Sequence, residues 1–424
     1  MKRKLSQTVF ANRSFLELWG AQICSAVSAS VLFFTSINFI FSHTQSTIAV
    51  GLLTFFYYLP TVILGFFSGA VVDRFPKDKI LVISSLAQAL FVWLFLGIKT
   101  HPFLIYPLIF LYSSFDEFIN PTIGTLLPET VKKENLGEAN SVWLFSSQGA
   151  VILGSIGAGL FLKILPSLYA IYPLISLILF AGVIFSLLLF KSSPKLATVK
   201  KQNSQIVDFE EFLQDVKDGY HFIRQEKAVL FPLLLIALTQ MITGSGVIAL
   251  PAIAQALKIQ FADASFYLIT PALLGAISGS FLVSKVIREK TIRKKTLIIK
   301  SLISCGLIIL LASLATVFLP RPIFAASPLL FLAGFTFVFL LIPAQTLIQE
   351  NSPLNLRGRV YGTLSVLVTL AAAVPIFLTT VLVEFLGAKT FLFLAGLAIF
   401  ASGIYFQKHQ QAIFAQFKNN AQKK

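Results

Sequence analysis

The chain has 424 residues, of which 56% are hydrophobic and 12% charged, and its formal net charge is +16. So small a charged fraction excludes an ordinary soluble domain, in which about a quarter of the residues are charged. The apolar residues come in long blocks, such as 51–72, 81–98 and 167–190, each close to the roughly 20 residues that a helix needs to cross a bilayer. One soluble core could not bury so many wholly apolar segments, and the composition therefore predicts an integral membrane protein.

In chain order, the apolar blocks predict twelve transmembrane helices and an all-α fold. The predicted spans are 15–42, 47–72, 79–98, 103–127, 140–164, 167–190, 229–257, 263–287, 296–318, 322–348, 360–386 and 388–407. The first block is too long for the core of a signal peptide and is interpreted as the first span.

The longest polar stretch, 191–228, separates the sixth span from the seventh. Its apolar residues recur at helical spacing, which predicts an amphipathic helix on the membrane surface: Phe209, Phe212, Leu213 and Val216. The predicted organisation is an N-terminal six-helix bundle (1–190), a cytoplasmic linker (191–228) and a C-terminal bundle with a basic tail (229–424).

The positive charges predict the orientation. With the N-terminus inside, 29 of the 34 Lys and Arg residues fall on the cytoplasmic side and 5 on the other. Both termini and the linker are therefore expected in the cytoplasm, in the inner membrane of a prokaryote. The same distribution explains the net charge without nucleic acid as a partner.

Catalytic and metal-binding signals are missing from the sequence. It contains no P-loop, no nucleophile elbow and no metal-ligand spacing, and Cys24 and Cys305 both lie in apolar blocks. We expect no enzyme, no ATP-driven pump, no cofactor, no metal and no disulfide.

The two halves of the chain look like copies of each other. Weak matches at similar offsets pair 125–129 with 346–350, Gln22 with Gln240, and Gly69 with Gly279. Together they predict a duplicated six-helix unit in parallel orientation.

A short loop motif lies between spans two and three: Gly69, three residues, Asp73-Arg74, then Lys77. Gly69 lets neighbouring helices approach closely, Asp73 can face the positive end of another helix, and Arg74 can pair with a carboxylate. The motif resembles the loop signature of the major facilitator superfamily, although Pro76 and Asp78 depart from it. The resemblance implies a conformational latch in which Glu129 partners Arg74, with further members in the second half: Glu350, Arg357 and Arg359.

Two more segments resemble macrolide-efflux and enterobactin-exporter relatives within that superfamily. They are 343–362, with Arg357-Gly358-Arg359, and Asn12-Arg13-Ser14-Phe15 followed by Leu18-Trp19. The resemblance covers essentially the whole chain. It implies two parallel-repeat six-helix bundles around a central cavity. It also implies a monomer, surrounded by membrane lipids, that moves a small molecule by alternating access.

Two carboxylates lie at membrane depth, where a charge costs about 2.5–3.5 kcal/mol: Asp116 and Glu117. Ser113, Asp116 and Asn120 share one helix face, which in this superfamily lines the cavity. Asp116 could bind a proton or a cationic substrate there, and Glu117 points about 100° away, toward another helix. The alternative is a structural carboxylate satisfied by hydrogen bonds between helices.

Four glutamines are weaker candidates for the same site: Gln22, Gln148, Gln240 and Gln345. Each either lines the cavity or holds helices together. The duplicate of Asp116 is Phe337, so carboxylate chemistry is expected in the first half alone.

The expected function is efflux of a small amphipathic or lipophilic molecule by an antiporter that uses protons. A metabolite importer on the same fold would carry a substrate-binding charge pair in both halves. A lipid-handling or enzymatic membrane protein on this scaffold would carry a catalytic cluster at membrane depth. The sequence shows neither feature.

The predicted topology can be tested with single cysteines. Ser204→Cys should react with a membrane-impermeant thiol reagent from the cytoplasmic side only, and Ser46→Cys from the outer side only. The parent chain is the background control, because Cys24 and Cys305 lie in apolar blocks. Labelling of Ser204→Cys from outside intact cells would overturn the orientation.

Overall fold

Helices make up nearly all of the chain that the structure describes. The computed structural model describes residues 9–132, 135–165, 167–194, 227–288, 294–351 and 357–409, and in these ranges it contains no β-strand. The long helices are α1 (Arg13–Thr44), α2 (Thr47–Arg74), α3 (Lys77–Phe91), α4 (Ile105–Thr130), α5 (Leu136–Ile164), α6 (Ile171–Ser192), α7 (Lys227–Ala256), α8 (Thr270–Arg288), α9 (Lys294–Phe318), α10 (Ile323–Asn351) and α11 (Arg357–Lys408). The all-α fold is confirmed.

Short helical turns extend several of these helices. α3 continues as a 3-10 helix, Val92–Lys99, and Pro102–Leu104 leads into α4. The 3-10 turn Leu168–Ala170 precedes α6, so that this α-helix begins a few residues after the predicted start. An α-helical turn, Phe261–Ala264, and a π-helical turn, Ser265–Ile269, lead into α8.

Gly387 interrupts α11. Its backbone angles, φ 78° and ψ 158°, are not helical and are readily adopted only by glycine. The interruption falls where the predicted spans 360–386 and 388–407 divide.

Ten helices of the described residues are long and apolar enough to cross a membrane, judged by length and composition, and Gly149–Ile164 in α5 is a shorter apolar helix. A membrane protein is thus confirmed, while twelve crossings remain a prediction. Large apolar side chains on the surface are typical of contact with lipid: Phe318 is 76% exposed and Phe385 is 78% exposed.

The first compact unit comprises Met1–Gln45 and Leu52–Val207. Within it, α1 packs against α4, α5 and α6, and α3 packs against α4 and α6. A buried apolar cluster joins these helices near one end: Phe15, Leu18, Leu81, Ile119, Ile123, Leu126, Ala139 and Leu189. α1 is therefore the central helix of this unit.

The second compact unit comprises Asp208–Lys424 together with Ser46–Gly51, the residues at the start of α2. Here α7 packs against α10 and α11, α9 packs against α10 and α11, and α8 packs against α10. Gly396 and Gly403, beyond the break in α11, lie against Leu310 and Ile303 of α9. α9 thus contacts the last helical stretch of its unit as α3 contacts α6, which matches the predicted duplication.

The predicted domain boundaries at 190, 191–228 and 229 stay a prediction. Most of the predicted linker, 195–226 with its amphipathic segment, lies outside the described residues.

The glycines of α5 test how closely its neighbours pack. A Cβ at Gly154 would overlap Ser30 of α1 and lie 3.1 Å from the Val31 nitrogen, whereas a Cβ at Gly149 would meet nothing within 4 Å. Small residues of this kind let helix backbones approach each other in membranes.

We expect Gly154→Ala to destabilise the first unit by about 1–3 kcal/mol relative to Gly149→Ala, because overpacking costs about that much and both changes gain the same helix propensity. The measurement is the thermal unfolding midpoint of each purified variant in detergent. Equal midpoints would show that α1 and α5 are not in close contact at Ser30.

Candidate functional site

Asp116 is held by α3. Its Oδ1 atom accepts a hydrogen bond of 2.7 Å from Nε2 of Gln88, a side chain that is fully buried. The same Gln88 nitrogen donates to the backbone oxygen of Tyr112 at 3.3 Å. This bond between helices is the contact that the structural alternative for Asp116 requires, and it also leaves the second carboxylate oxygen for another partner.

Glu117 is held by α2 instead. Its Oε1 atom accepts a hydrogen bond of 2.7 Å from Oγ1 of Thr61, and the residue is partly buried. The Tyr57 phenol, also on α2, lies close enough to interact electrostatically with both Asp116 and Glu117. The two neighbouring acids therefore face different helices, as their 100° separation predicts.

The exposure pattern of α4 separates these two faces. On the side shared by Asp116 the residues are buried: Tyr112, Ile119 and Ile123. On the other side, Asn120 and Gly124 are exposed. Asp116 lies at the boundary, since Asn120 follows it by four residues and about 40°.

Two fully buried polar atoms of this network have no hydrogen-bond partner among the described residues: Oε1 of Gln88 and the Tyr112 hydroxyl. The Tyr112 phenol interacts electrostatically with Asp116 and Tyr57. Buried polar atoms are nearly always paired, with protein, with water or with a bound group. Oε1 of Gln88 and the Tyr112 hydroxyl are therefore exceptions to this rule within the described residues.

The four candidate glutamines are in different environments. Gln22 is buried, and its Nε2 donates to Oγ of Ser147 at 2.9 Å, which ties α1 to α5. Gln240 and Gln345 are exposed on α7 and α10. The side chain of Gln148 lies outside the described residues.

Of the predicted latch, the structure describes the side chains of Lys77 and Glu129. They form an ion pair of 3.0 Å between the start of α3 and the end of α4. The resemblance implies Arg74 as a partner of Glu129, and this pairing stays a prediction because the side chain of Arg74 lies outside the described part of the chain. The other side chains lie outside the described part of the chain: Gly69, Asp73, Arg74, Glu350, Arg357 and Arg359.

A buried carboxylate at the start of α1 is missing from the sequence-based candidates. Glu17 is 6% exposed, accepts from Nε of Arg13 at 2.8 Å and accepts from the Ser192 hydroxyl of α6. Beside it, Asn12 caps α1 through the Phe15 nitrogen and donates to the backbone oxygen of Thr130 at the end of α4. The segment from Asn12 to Trp19, singled out for its family resemblance, thus ties α1 to α4 and α6.

A family model described as Major Facilitator Superfamily matches residues 18–375. The chain belongs to the Major Facilitator Superfamily. Membrane transport is therefore its function, and the family points to a transporter rather than an enzyme.

Individual relatives agree with the family. A Bacillus subtilis (strain 168) protein described as an uncharacterized MFS-type transporter, YfiS, is 25% identical over 368 residues, which cover 85% of this chain and 84% of the relative. Among solved structures, a bacterial homologue of the iron transporter ferroportin in an inward-facing state has a TM-score of 0.72 at 14% identity, covering 95% of this chain and 99% of that one. The POT family transporter PepTSo has a TM-score of 0.70 at 12% identity, covering 96% and 99%. At these identities the solved structures show the shared fold alone.

The two ion pairs that the structure describes in the first unit should differ in their contribution to stability. Glu17→Ala removes a buried acceptor with two donors and should cost about 1.5–3 kcal/mol. Glu129→Ala removes a pair whose side chains are 17% and 33% exposed, and should cost about 0–1 kcal/mol. Thermal unfolding midpoints in detergent measure both variants. A loss for Glu129→Ala as large as that for Glu17→Ala would mean that the Lys77 pair is a structural bond of the first unit.

Proposed function

We propose that this transporter exports a small amphipathic or lipophilic molecule in exchange for protons, with Asp116 as the coupling carboxylate. The observation that carries the proposal is the state of Asp116: an acid at membrane depth that accepts one hydrogen bond from Gln88 and pairs with no lysine or arginine among the described residues. An intramembrane acid of this kind is a functional candidate by default.

The surroundings of Asp116 suit a group that gains and loses a proton. Gln88 holds one carboxylate oxygen at 2.7 Å, so protonation can occur at the other without loss of this bond. The Tyr112 phenol interacts electrostatically with Asp116, and its hydroxyl has no hydrogen-bond partner among the described residues. A positioned acid with one oxygen left to gain and lose a proton is what proton exchange requires.

Export is favoured over import by the resemblance of 343–362 and of the Asn12–Trp19 segment to macrolide-efflux and enterobactin-exporter relatives. The proposed transporter is a monomer in the inner membrane of a prokaryote, with twelve spans and both termini in the cytoplasm. The importer on the same fold is the alternative outcome of the experiment below.

The latch is part of this proposal. The proposed latch holds the cytoplasmic ends of the helices in one conformation and separates in the other. Its proposed members are Lys77, Glu129, Asp73, Arg74, Glu350, Arg357 and Arg359. A latch of about 1–2 kcal/mol shifts the population of two states without deciding whether the chain folds.

Everted membrane vesicles test the direction and the coupling. Vesicles with and without the protein are offered a panel of drugs and metabolites, with and without an acid lumen. An exporter coupled to protons accumulates a compound in the lumen only when the gradient is imposed. Gradient-driven depletion from preloaded vesicles would indicate the importer instead, and transport indifferent to the gradient would remove protons from the mechanism.

For a compound that accumulates, Asp116→Asn should still bind it but should not concentrate it above the level outside. The amide keeps the shape and the bond to Gln88 but cannot release a proton, so downhill exchange survives while uphill transport is lost. Asp263→Asn, an acid-to-amide change at the start of the turn before α8, is the control. Wild-type accumulation by Asp116→Asn would make the carboxylate structural.

A further inference from the structure

Glu117 faces a more open environment than its neighbour Asp116. Thr61, which binds Glu117, is exposed, and so are Tyr58, one turn before it on α2, and Asn120, one turn after Glu117 on α4, whereas Asp116 shares its face with buried residues of α4. Glu117 therefore borders the exposed surface of the first unit, where a molecule larger than a proton can approach.

Of the two oxygen atoms of the Glu117 carboxylate, one has a hydrogen-bond donor among the described residues and the other has none. Thr61 donates to Oε1, while Oε2 accepts no hydrogen bond within the described part of the chain. A Cβ at Gly65 would lie 3.7 Å from Oε2, so the missing side chain leaves room beside that oxygen. No described lysine or arginine pairs with Glu117. A partly buried carboxylate without a basic partner attracts a cation.

Two tyrosines of α2 precede, by about one turn, the Thr61 that binds this carboxylate. The ring of Tyr58 precedes Thr61 by one turn of α2, is 47% exposed, and lies 5.1 Å from the ring of Tyr57. The Tyr57 ring packs at 4.4 Å against Phe33 of α1, and its phenol interacts electrostatically with Glu117. Ring faces beside a carboxylate bind cations that carry apolar groups better than small hydrated ions, because both the charge and the apolar surface find partners.

The buried end of the same network also points to a ligand. The Tyr112 hydroxyl is fully buried, has no hydrogen-bond partner among the described residues and lies within electrostatic reach of Tyr57 and Asp116. It lies on the Asp116 side of the network, whereas Glu117 lies on the exposed side.

We infer that Glu117, Thr61, Tyr57 and Tyr58 form the binding site for a lipophilic organic monocation, separate from the proton site at Asp116. The inference rests on the proposed function, since it names the chemical class of the exported molecule. A single free carboxylate matches one positive charge, and it disfavours anions by repulsion.

Equilibrium binding of tetraphenylphosphonium to the purified protein in detergent tests the site. The wild type should bind it saturably. Glu117→Gln should weaken binding at least about tenfold, as loss of one partly desolvated charge pair implies, and Glu117→Asp should restore part of it. Triphenylphosphine oxide, which is neutral, and tetraphenylborate, which is an anion, should bind weakly.

Three further variants separate the contributions of the Tyr58 ring and of the space beside Oε2 from that of the charge. Tyr58→Phe should keep the affinity, because the ring face and not the hydroxyl meets the cation, and Tyr58→Ala should lower it. Gly65→Leu should block access to Oε2 while leaving the charge in place. Thermal unfolding midpoints verify that each variant is folded.

The proposal is overturned if the wild type shows no saturable binding of tetraphenylphosphonium, if the neutral or anionic probe binds as tightly, or if Glu117→Gln binds as the wild type does. Asp116→Asn should weaken cation binding less than Glu117→Gln does, because it removes a neighbouring negative charge and keeps the carboxylate that meets the cation. A larger loss for Asp116→Asn than for Glu117→Gln would overturn the assignment of the cation to Glu117. Normal cation binding with gradient-independent transport would instead remove the proton coupling and leave the cation site standing.

Discussion

Hydrocarbon offers no hydrogen-bond partner, and this constraint decides both the secondary structure and the placement of polar side chains. Backbone groups are satisfied inside helices such as α1, with 32 residues, and α10, with 29. Many hydroxyl groups bond back to their own helix, as Ser113 does to the Ile109 oxygen at 2.8 Å and Thr122 to the Phe118 oxygen at 2.6 Å. A side chain that bonds to another helix instead of its own therefore fixes how the two helices pack, and the Asp116–Gln88 and Glu117–Thr61 bonds do this.

The positions of the helices could be predicted from the sequence because apolar length is a local property. The predicted span 15–42 lies within Arg13–Thr44, and the division between the last two spans falls at Gly387, whose positive φ ends a helix. Partners between helices could not be predicted in the same way, since they depend on the rotation of two helices about their axes. The partner of Asp116 is Gln88, which no sequence pattern singles out, and Glu129 pairs with Lys77. Glu17 was missed for a related reason: an acid four residues after Arg13 is typical of an exposed helix pair, and only its contact with Ser192 shows that it is buried.

The two units differ in chemistry although their helices pack in a similar pattern. In the first unit, α4 carries two acids at membrane depth, while the position in α10 that duplicates Asp116 is Phe337, a partly buried side chain. A polar contact between helices in the described part of the second unit joins two neutral groups, the hydroxyls of Ser245 and Thr379, at 2.6 Å. Small residues allow close helix packing in both units: a Cβ at Gly154 would overlap Ser30 of α1, and Cβ atoms at Gly275 and Gly334 would overlap the facing backbones of α10 and α8. The polar side chains between helices, in contrast, differ from one unit to the other.

The adjacency of Asp116 and Glu117 supplies a physical reason for exchange. Two carboxylates on consecutive residues repel each other, and in a medium of low dielectric constant this repulsion is far stronger than in water. A proton on Asp116 and a cation at Glu117 each relieve it, so that the binding of one reduces the gain from binding the other. Because coupling between two sites is reciprocal, a cation that binds favours release of the proton by the same factor by which the proton disfavours the cation. Opposed binding at two neighbouring acids is the thermodynamic requirement of an antiporter. In the proposed mechanism it arises because two consecutive side chains of α4 face different helices, Asp116 facing α3 and Glu117 facing α2.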